Sequence, residues 1–359
     1  MEGMKRQFGP ALYFASDKVI FDALNHTQVT TDVIRELLSE RGIFVSSKTS
    51  KYELAQYFSR LTADYFDHQN IAVKLGKPAK RERITYAEIS EPLTQQEIIE
   101  ALQAAKPALE AQGNVVDIKL DNGRILATLE YDYIDYTEVE FRQVQARDGV
   151  IEFLKDASGQ YVVRSTQNPE IDIAVNHVFT TINAARTKPV KQNRISLEGT
   201  ADPALRCKFF EELVHGVEEH NFVTVTEAFC YKPKASSVNS SDDDPKELED
   251  QPNVVRVTLK GTGVTKSFVI SDLYAKGYYI VKAVWRVKPK ASLDADVFEL
   301  EAQFSEPDTC TNFSYQARTA IIFEGGKLTD KKRTPKIAEQ DTLFRLIEAA
   351  AKKAYASLE

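Results

Sequence analysis

The sequence predicts an α+β protein: an N-terminal helical module followed by mixed, mainly antiparallel sheet domains with packed helices. Three observations carry this expectation. Apolar residues recur at three- and four-residue steps through residues 11 to 72. From Val115 the period changes to two around tight-turn residues, and the chain ends in a helical stripe. A length of 359 residues exceeds what one core usually serves. The expected division is a helical module with a basic linker at 1–85, an α+β domain at 86–190, and an α+β domain at 191–359. The last holds an acidic, disordered insertion near 233–252.

Thr30 or Thr31 caps a helix carrying Val33, Ile34, Leu37 and Leu38, with Asp32 near its positive end. Arg41-Gly42 closes it, a cation in the last turn and then a glycine able to turn left-handed. Ile43 to Val45 is extended. Ser46-Ser47-Lys48-Thr49-Ser50 is a polar turn whose last hydroxyl caps a second helix with Leu54, Tyr57, Phe58 and Leu61.

In its residues Ile34, Leu37, Leu38, Gly42, Val45, Ser46, Lys48, Lys51, Leu54 and Phe58 this stretch resembles the SAP-like, or helix-extended-loop-helix, family of small DNA-binding modules. The resemblance spans residues 29–61. It implies that Arg35, Arg41, Lys48 and Lys51 lie near phosphates while the aliphatic positions form a small core. The same residues also fit a small protein-docking or structural module. Beyond them, Lys74, Lys77, Lys80, Arg81 and Arg83 face only Glu82, a local charge of +4 that a phosphate backbone favours; a solvated linker is the plainer reading.

Leu93 to Gln112 has a helical stripe (Ile98, Ile99, Ala101, Leu102, Ala105) that Pro107 is expected to interrupt. Val116, Ile118 and Leu120 alternate into Asp121-Asn122-Gly123, and Ile125, Ala127 and Leu129 alternate out, which predicts an antiparallel hairpin. Val139, Phe141 and Val144 suggest another strand. Val150 to Leu154 and Tyr161 to Val163 flank Ala157-Ser158-Gly159 as a further hairpin, and residues 170 to 185 are helical. Arg194 to Leu197 reads as a strand, and Asp202-Pro203 opens a helix. Residues 222–231, 254–259, 277–287, 297–304 and 313–323 read as strands, and residues 338–356 as an amphipathic helix.

The net charge of −7 is uneven: residues 1–90 hold thirteen Lys/Arg against eleven Asp/Glu, which leaves −9 for the rest. No apolar run approaches the roughly 18 residues of a membrane span, no secretory signal opens the chain, and three widely spaced cysteines fit reduced thiols. The expectation is a cytoplasmic protein without membrane contact. Gly261-Thr262-Gly263-Val264-Thr265-Lys266-Ser267 lacks the glycine before the lysine that a phosphate loop needs, and Phe268-Val269-Ile270 after it looks extended, so it reads as a turn. Five histidines lack metal-ligand spacing.

Two acidic patterns remain. Asp117-Ile118-Lys119 has the Asp-x-Lys form of metal-dependent nucleases, with the carboxylate on Mg²⁺ and the lysine near the attacking water. Glu299 and Glu301 place two carboxylates on one face of a strand. Basic segments at Arg186, Lys188, Lys191 and Arg194 and at Lys327 to Lys336 read as solvated loops or phosphate contacts, and Tyr131, Tyr133, Tyr136 and Phe141, interleaved with acids, as half-buried sheet ahead of a base-stacking surface. The leading expectation is a non-enzymatic DNA-binding or DNA-associated accessory protein, with DNA ahead of RNA, a protein partner, no cofactor, no metal and no catalytic residue. A prokaryotic genome-maintenance or anti-phage complex suits that architecture. The alternatives are a protein-interaction or ligand-sensing subunit and, third, the nuclease.

Overall fold

The computed structural model describes residues 15–75, 82–121, 123–156, 158–233, 255–261, 263, 268–292 and 294–358. The chain divides into two compact units, and its mixed α+β class matches the expectation. Unit 1 is built from residues 1–81, 102–119 and 126–150; unit 2 takes the remainder.

In unit 1 the local chemistry acts as read. Helix α1 (Asp17–Asn25) is followed by α2 (Thr31–Glu40), whose cap is Thr30, its hydroxyl accepting from the Val33 N–H. Gly42 takes φ +73°, and the Gly42 and Ile43 N–H groups satisfy the Ser39 and Leu38 carbonyls, so the helix stops where the glycine allows. Helix α3 (Lys51–Ser59) opens with a reciprocal capping box between Ser50 and Glu53. Helix α4 (Tyr65–Leu75) completes the module. Ile20, Leu24, Ile34, Leu38, Leu54, Phe58, Ile71 and Leu75 form its core, joined by Phe141.

Phe141 corrects one expectation. Within residues 139–144 lies a short helix, α6 (Glu140–Gln143), and only then does strand β4 (Val144–Lys155) begin. Asp135 sets a turn by accepting from Thr137, and the Phe141 ring then reaches the core beside His68. Helix α5 (Gln95–Ala111) also departs from the reading, because it runs through Pro107. Its buried stripe, Ile98, Leu102, Ala105 and Leu109, continues past the proline, and that burial offsets the lost hydrogen bond. Strands β2 (Val115–Asp121) and β3 (Arg124–Ile134) flank Gly123 at φ +80°.

Unit 2 centres on antiparallel strands in the order β4-β5-β1-β11-β10-β9-β7-β8. These are β1 (Ile84–Ile89), β5 (Tyr161–Thr166), β7 (His220–Tyr231), β8 (Arg256–Lys260), β9 (Tyr279–Pro289), β10 (Val297–Glu306) and β11 (Thr311–Glu324). Strand β6 (Gln192–Arg194) pairs with β1 and stops short of Leu197, earlier than expected. Strand β12 (Lys327–Arg333) pairs with β11 through Gly325-Gly326, both at positive φ as a two-residue hairpin requires. The Lys327–Lys336 segment is therefore largely strand, hidden in the sequence because it lacks apolar alternation.

Helix α8 (Pro203–His215) and helix α10 (Ile337–Ala356) pack with the sheet around one core. Phe209, Phe210, Phe304 and Phe313 meet there with ring centroids 5.3–5.8 Å apart, close to preferred edge-to-face spacing. Gly216 ends α8 against α10: a Cβ there would meet the Glu212 carbonyl at 2.8 Å and Ala350 at 3.3 Å. Helix α7 (Pro169–Ala184) has its cap at Asn168. Helix α9 (Phe268–Ala275) overturns the extended reading of Phe268 to Ile270, since burying Ile270 and Leu273, three residues apart, selects helix. Most of the loop before it, and the acidic stretch 234–252, lie outside the described residues.

Candidate nucleic-acid interface

Most of the expected phosphate contacts turn out to have partners within the chain. Arg35 donates to the Ser47 carbonyl at 2.7 Å and the Thr49 carbonyl at 3.2 Å, and pairs with Asp32 at 3.0 Å. Arg41 donates to the Thr62 carbonyl at 2.9 Å, pairs with Asp67 and lies 4.6 Å from the Phe58 ring centre. Burial opposes the charge of Asp67, but Arg41 outweighs it and holds the carboxyl below its ordinary range. The Lys51 ammonium bridges the Asn25 and His26 carbonyls at 3.2 and 2.6 Å, and burial lowers its pKa. Lys74 pairs with Glu36 at 2.7 Å, and Arg83 with Glu301 at 2.6 Å. Lys48 is exposed on the turn that Ser46 organises, with no side-chain partner among the described residues. Lys77, Lys80 and Arg81 lie outside the described residues.

Unit 2 assembles a cluster that the reading by segments missed. Strand registers place Phe229, Lys282 and Gln303 in one row across β7, β9 and β10; Glu227, Val284 and Glu301 form the next row on that face. Glu301, with a side chain only 2 % exposed, meets Arg83 at 2.6 Å, Lys282 at 3.1 Å and Arg318 at 3.5 Å. Glu299 meets Arg286 at 3.2 Å and Arg318 at 3.9 Å; Glu227 meets Lys260 at 3.4 Å and Arg318 at 3.8 Å. Burial opposes ionisation of Glu301, yet Arg83 and Lys282 prevail and its carboxyl stays ionised below the usual range. Among the described residues five cations thus meet three carboxylates on and beside this sheet face, two more positive than negative charges. The signal was present in β9, where Lys282 and Arg286 stand four residues apart inside an otherwise apolar run.

The sheet's helix-packed face treats charge differently. Arg164, 4 % exposed, forks onto Glu348 at 2.7 and 3.0 Å and reaches Glu152 at 3.0 Å and Asp341 at 3.1 Å. Arg124 joins Glu152 at 3.1 Å and Asp341 at 2.6 Å, and the Tyr315 hydroxyl donates to Glu348. Two arginines and three acids, all close to saturated, make a structural network. Cys207, Cys230 and Cys310 are buried in the same core, where desolvation pushes their thiols up to about 11, 12 and 11 and keeps them protonated.

The remaining sequence candidates are dispersed. Asp117 and Lys119 pair with each other at 2.6 Å, both more than half exposed on β2. Among the described residues no group of three or more His, Cys, Asp or Glu is placed to hold a metal ion, and no helix is long and apolar enough to cross a membrane. Arg186 pairs with Glu97, Lys188 with Glu91 and Arg194 with Asp172. Tyr131 is buried while Tyr136 is 79 % exposed. No protein-family model matches the chain, and a search of curated protein sequences finds no match.

Proposed function

We propose that this protein binds single-stranded nucleic acid, DNA ahead of RNA, without catalysing a reaction on it, and that the contact surface is the β8–β7–β9–β10–β11 face of unit 2. The observation that carries the reading is the surplus of cations on that face beside the aromatic Phe229. Strand faces presenting aromatic rings among lysines and arginines suit a flexible strand, because bases stack on rings while phosphates meet the charges. The SAP-like stretch contributes Lys48, whose charge is unspent; the described part of that module, residues 15–75, holds seven Lys/Arg against eight Asp/Glu and so attracts phosphate weakly on its own.

The test is fluorescence anisotropy of a labelled 20-nucleotide single strand and its duplex across a salt series. Single-strand affinity should exceed duplex affinity and fall as salt rises. Arg256→Glu with Lys260→Glu, both exposed, should weaken binding by about tenfold or more. Lys48→Glu should have a smaller effect. Binding that is absent at low salt, or indifferent to the double reversal in a protein of unchanged Tm, would sink the proposal.

One observation favours a second reading for unit 1. Phe44, Tyr52, Tyr57, Phe66 and Val73 are 87, 57, 48, 73 and 69 % exposed within thirty residues, a density more typical of a protein-docking surface than of a solvated helical module. Phe44→Ser with Phe66→Ser should abolish partner co-purification while leaving nucleic-acid affinity intact.

A further inference from the structure

At the end of the same face, β7, β8, β9 and β10 line a half-open pocket of about 240 Å³ with Phe229, Tyr231, Arg256, Lys282, Gln303 and Ser305 among its walls. Its groups divide by chemistry. Phe229 offers an aromatic surface, with the Lys282 ammonium 4.9 Å from the ring centre. The Gln303 carboxamide donates to Ser305 at 3.1 Å, and its oxygen has no partner among the described residues, so it retains an acceptor and a second N–H. Arg256 is exposed, lies 5.9 Å from the Tyr231 ring centre and has no carboxylate partner among the described residues. The nearby acid, Asp308, accepts the Tyr231 hydroxyl, and Lys282 is balanced by Glu301.

We infer that this cavity is a subsite for one nucleotide, with the base stacked on Phe229, its edge read by Gln303 and its phosphate held by Arg256. An aromatic platform, an amide able both to give and accept, and an unspent guanidinium are the three recognitions a nucleotide needs, and no simpler anion or apolar ligand uses all three. The inference rests on the nucleic-acid reading above and adds to it a defined position on the face.

The experiment is calorimetric titration of the full-length protein with dTMP, thymidine and inorganic phosphate in turn, beside anisotropy with the 20-nucleotide strand. dTMP should bind saturably and about tenfold more tightly than thymidine, and phosphate alone should not bind measurably. Arg256→Gln should erase the difference between dTMP and thymidine. Phe229→Leu should weaken both by roughly fivefold or more. Both variants should melt as the wild type does; if Phe229→Leu does not, Arg256→Gln alone decides. No dTMP binding while the long strand still binds overturns the subsite and spares the wider reading. Loss of long-strand binding in the wild type with dTMP binding retained overturns the wider reading alone. Phosphate binding as tightly as dTMP, or dTMP binding untouched by either substitution, overturns the nucleotide assignment.

Discussion

Several cations of the two units have different kinds of partner. In unit 1 Arg35, Arg41 and Lys51 donate mainly to main-chain carbonyls, those of Ser47, Thr49, Thr62, Asn25 and His26. In unit 2 the sheet cations Arg83, Arg164 and Arg333 bind carboxylates, while Arg206, on α8 beside loops, donates to the Thr200 and Asp308 carbonyls. The difference follows from backbone accounting. Short helices joined by turns leave carbonyls at every helix end and bend that need donors, whereas a sheet ladder satisfies its own carbonyls and leaves cations to pair with acids. A lysine or arginine in a helix–turn–helix sequence is thus as much a candidate for closing the turn as for holding phosphate, and only a charge such as Lys48 is left for a ligand.

If that contrast is right, losing a cation should cost far more in unit 2. Arg164→Gln leaves the buried Glu348 with no cation among the described residues while Glu152 and Asp341 keep Arg124, and about 3–5 kcal/mol of stability should disappear in urea unfolding. A loss below about 1 kcal/mol would show that these acids take up protons or solvent instead. Arg35→Gln removes two bonds to the 46–50 turn but leaves no buried charge, so about 1–2 kcal/mol is expected, with Lys48→Gln neutral beside it. Equal effects of Arg35→Gln and Arg164→Gln would break the comparison.

Acid should separate the units as well. The His26 ring accepts the Gln28 N–H at Nδ1 and faces the Arg142 guanidinium at 3.3 Å from Nε2, with Glu138 at 3.9 Å and Lys51 on its carbonyl. Desolvation, then Arg142, lowers its pKa. The folded form therefore binds this proton more weakly than the unfolded form, and the contribution to stability, complete above about 6.5, declines as pH falls through the folded value. In unit 2 the carboxyls of Glu301, Asp341 and Glu339 are held low by their cations and that of Asp296 by the Phe323 N–H and then Arg333, so their contribution is complete above about 4.5 and is lost only below that. Hydrogen exchange between pH 7.5 and 5.5 should loosen α1–α3 before any unit 2 strand other than β7, where desolvation lowers the pKa of His220 in the same direction, and His26→Gln should remove the α1–α3 effect. Unit 2 peptides away from β7 losing protection first would contradict this.

Much of the fold was legible because the signals are local. Thr30, Ser50, Asp202 and Gly42 act within a few residues of themselves, and the period of two around Gly123 and Gly159 marks its hairpins without help from the rest of the chain. The misread pieces are those where burial overruled a local cue: Pro107 inside α5, Phe141 in α6, and Phe268 to Ile270 in α9. The candidate interface was least legible of all. Glu299 and Glu301 could be seen to share a face, but their counter-charges could not.

By itself the sequence determined an α+β chain, the helix–loop–helix near its start with the caps and glycine that bound it, and most of the strands. Only the tertiary structure decided which charges are spent and which remain. Arg83 meets Glu301 across 218 positions and Arg164 meets Glu348 across 184, and the row of Phe229, Lys282 and Gln303 exists only because β7 pairs in register with the distant β9, and β9 with β10. Periodicity reports which side of a strand a residue occupies; the identity of its neighbour on the next strand depends on register and strand order, which no local pattern encodes.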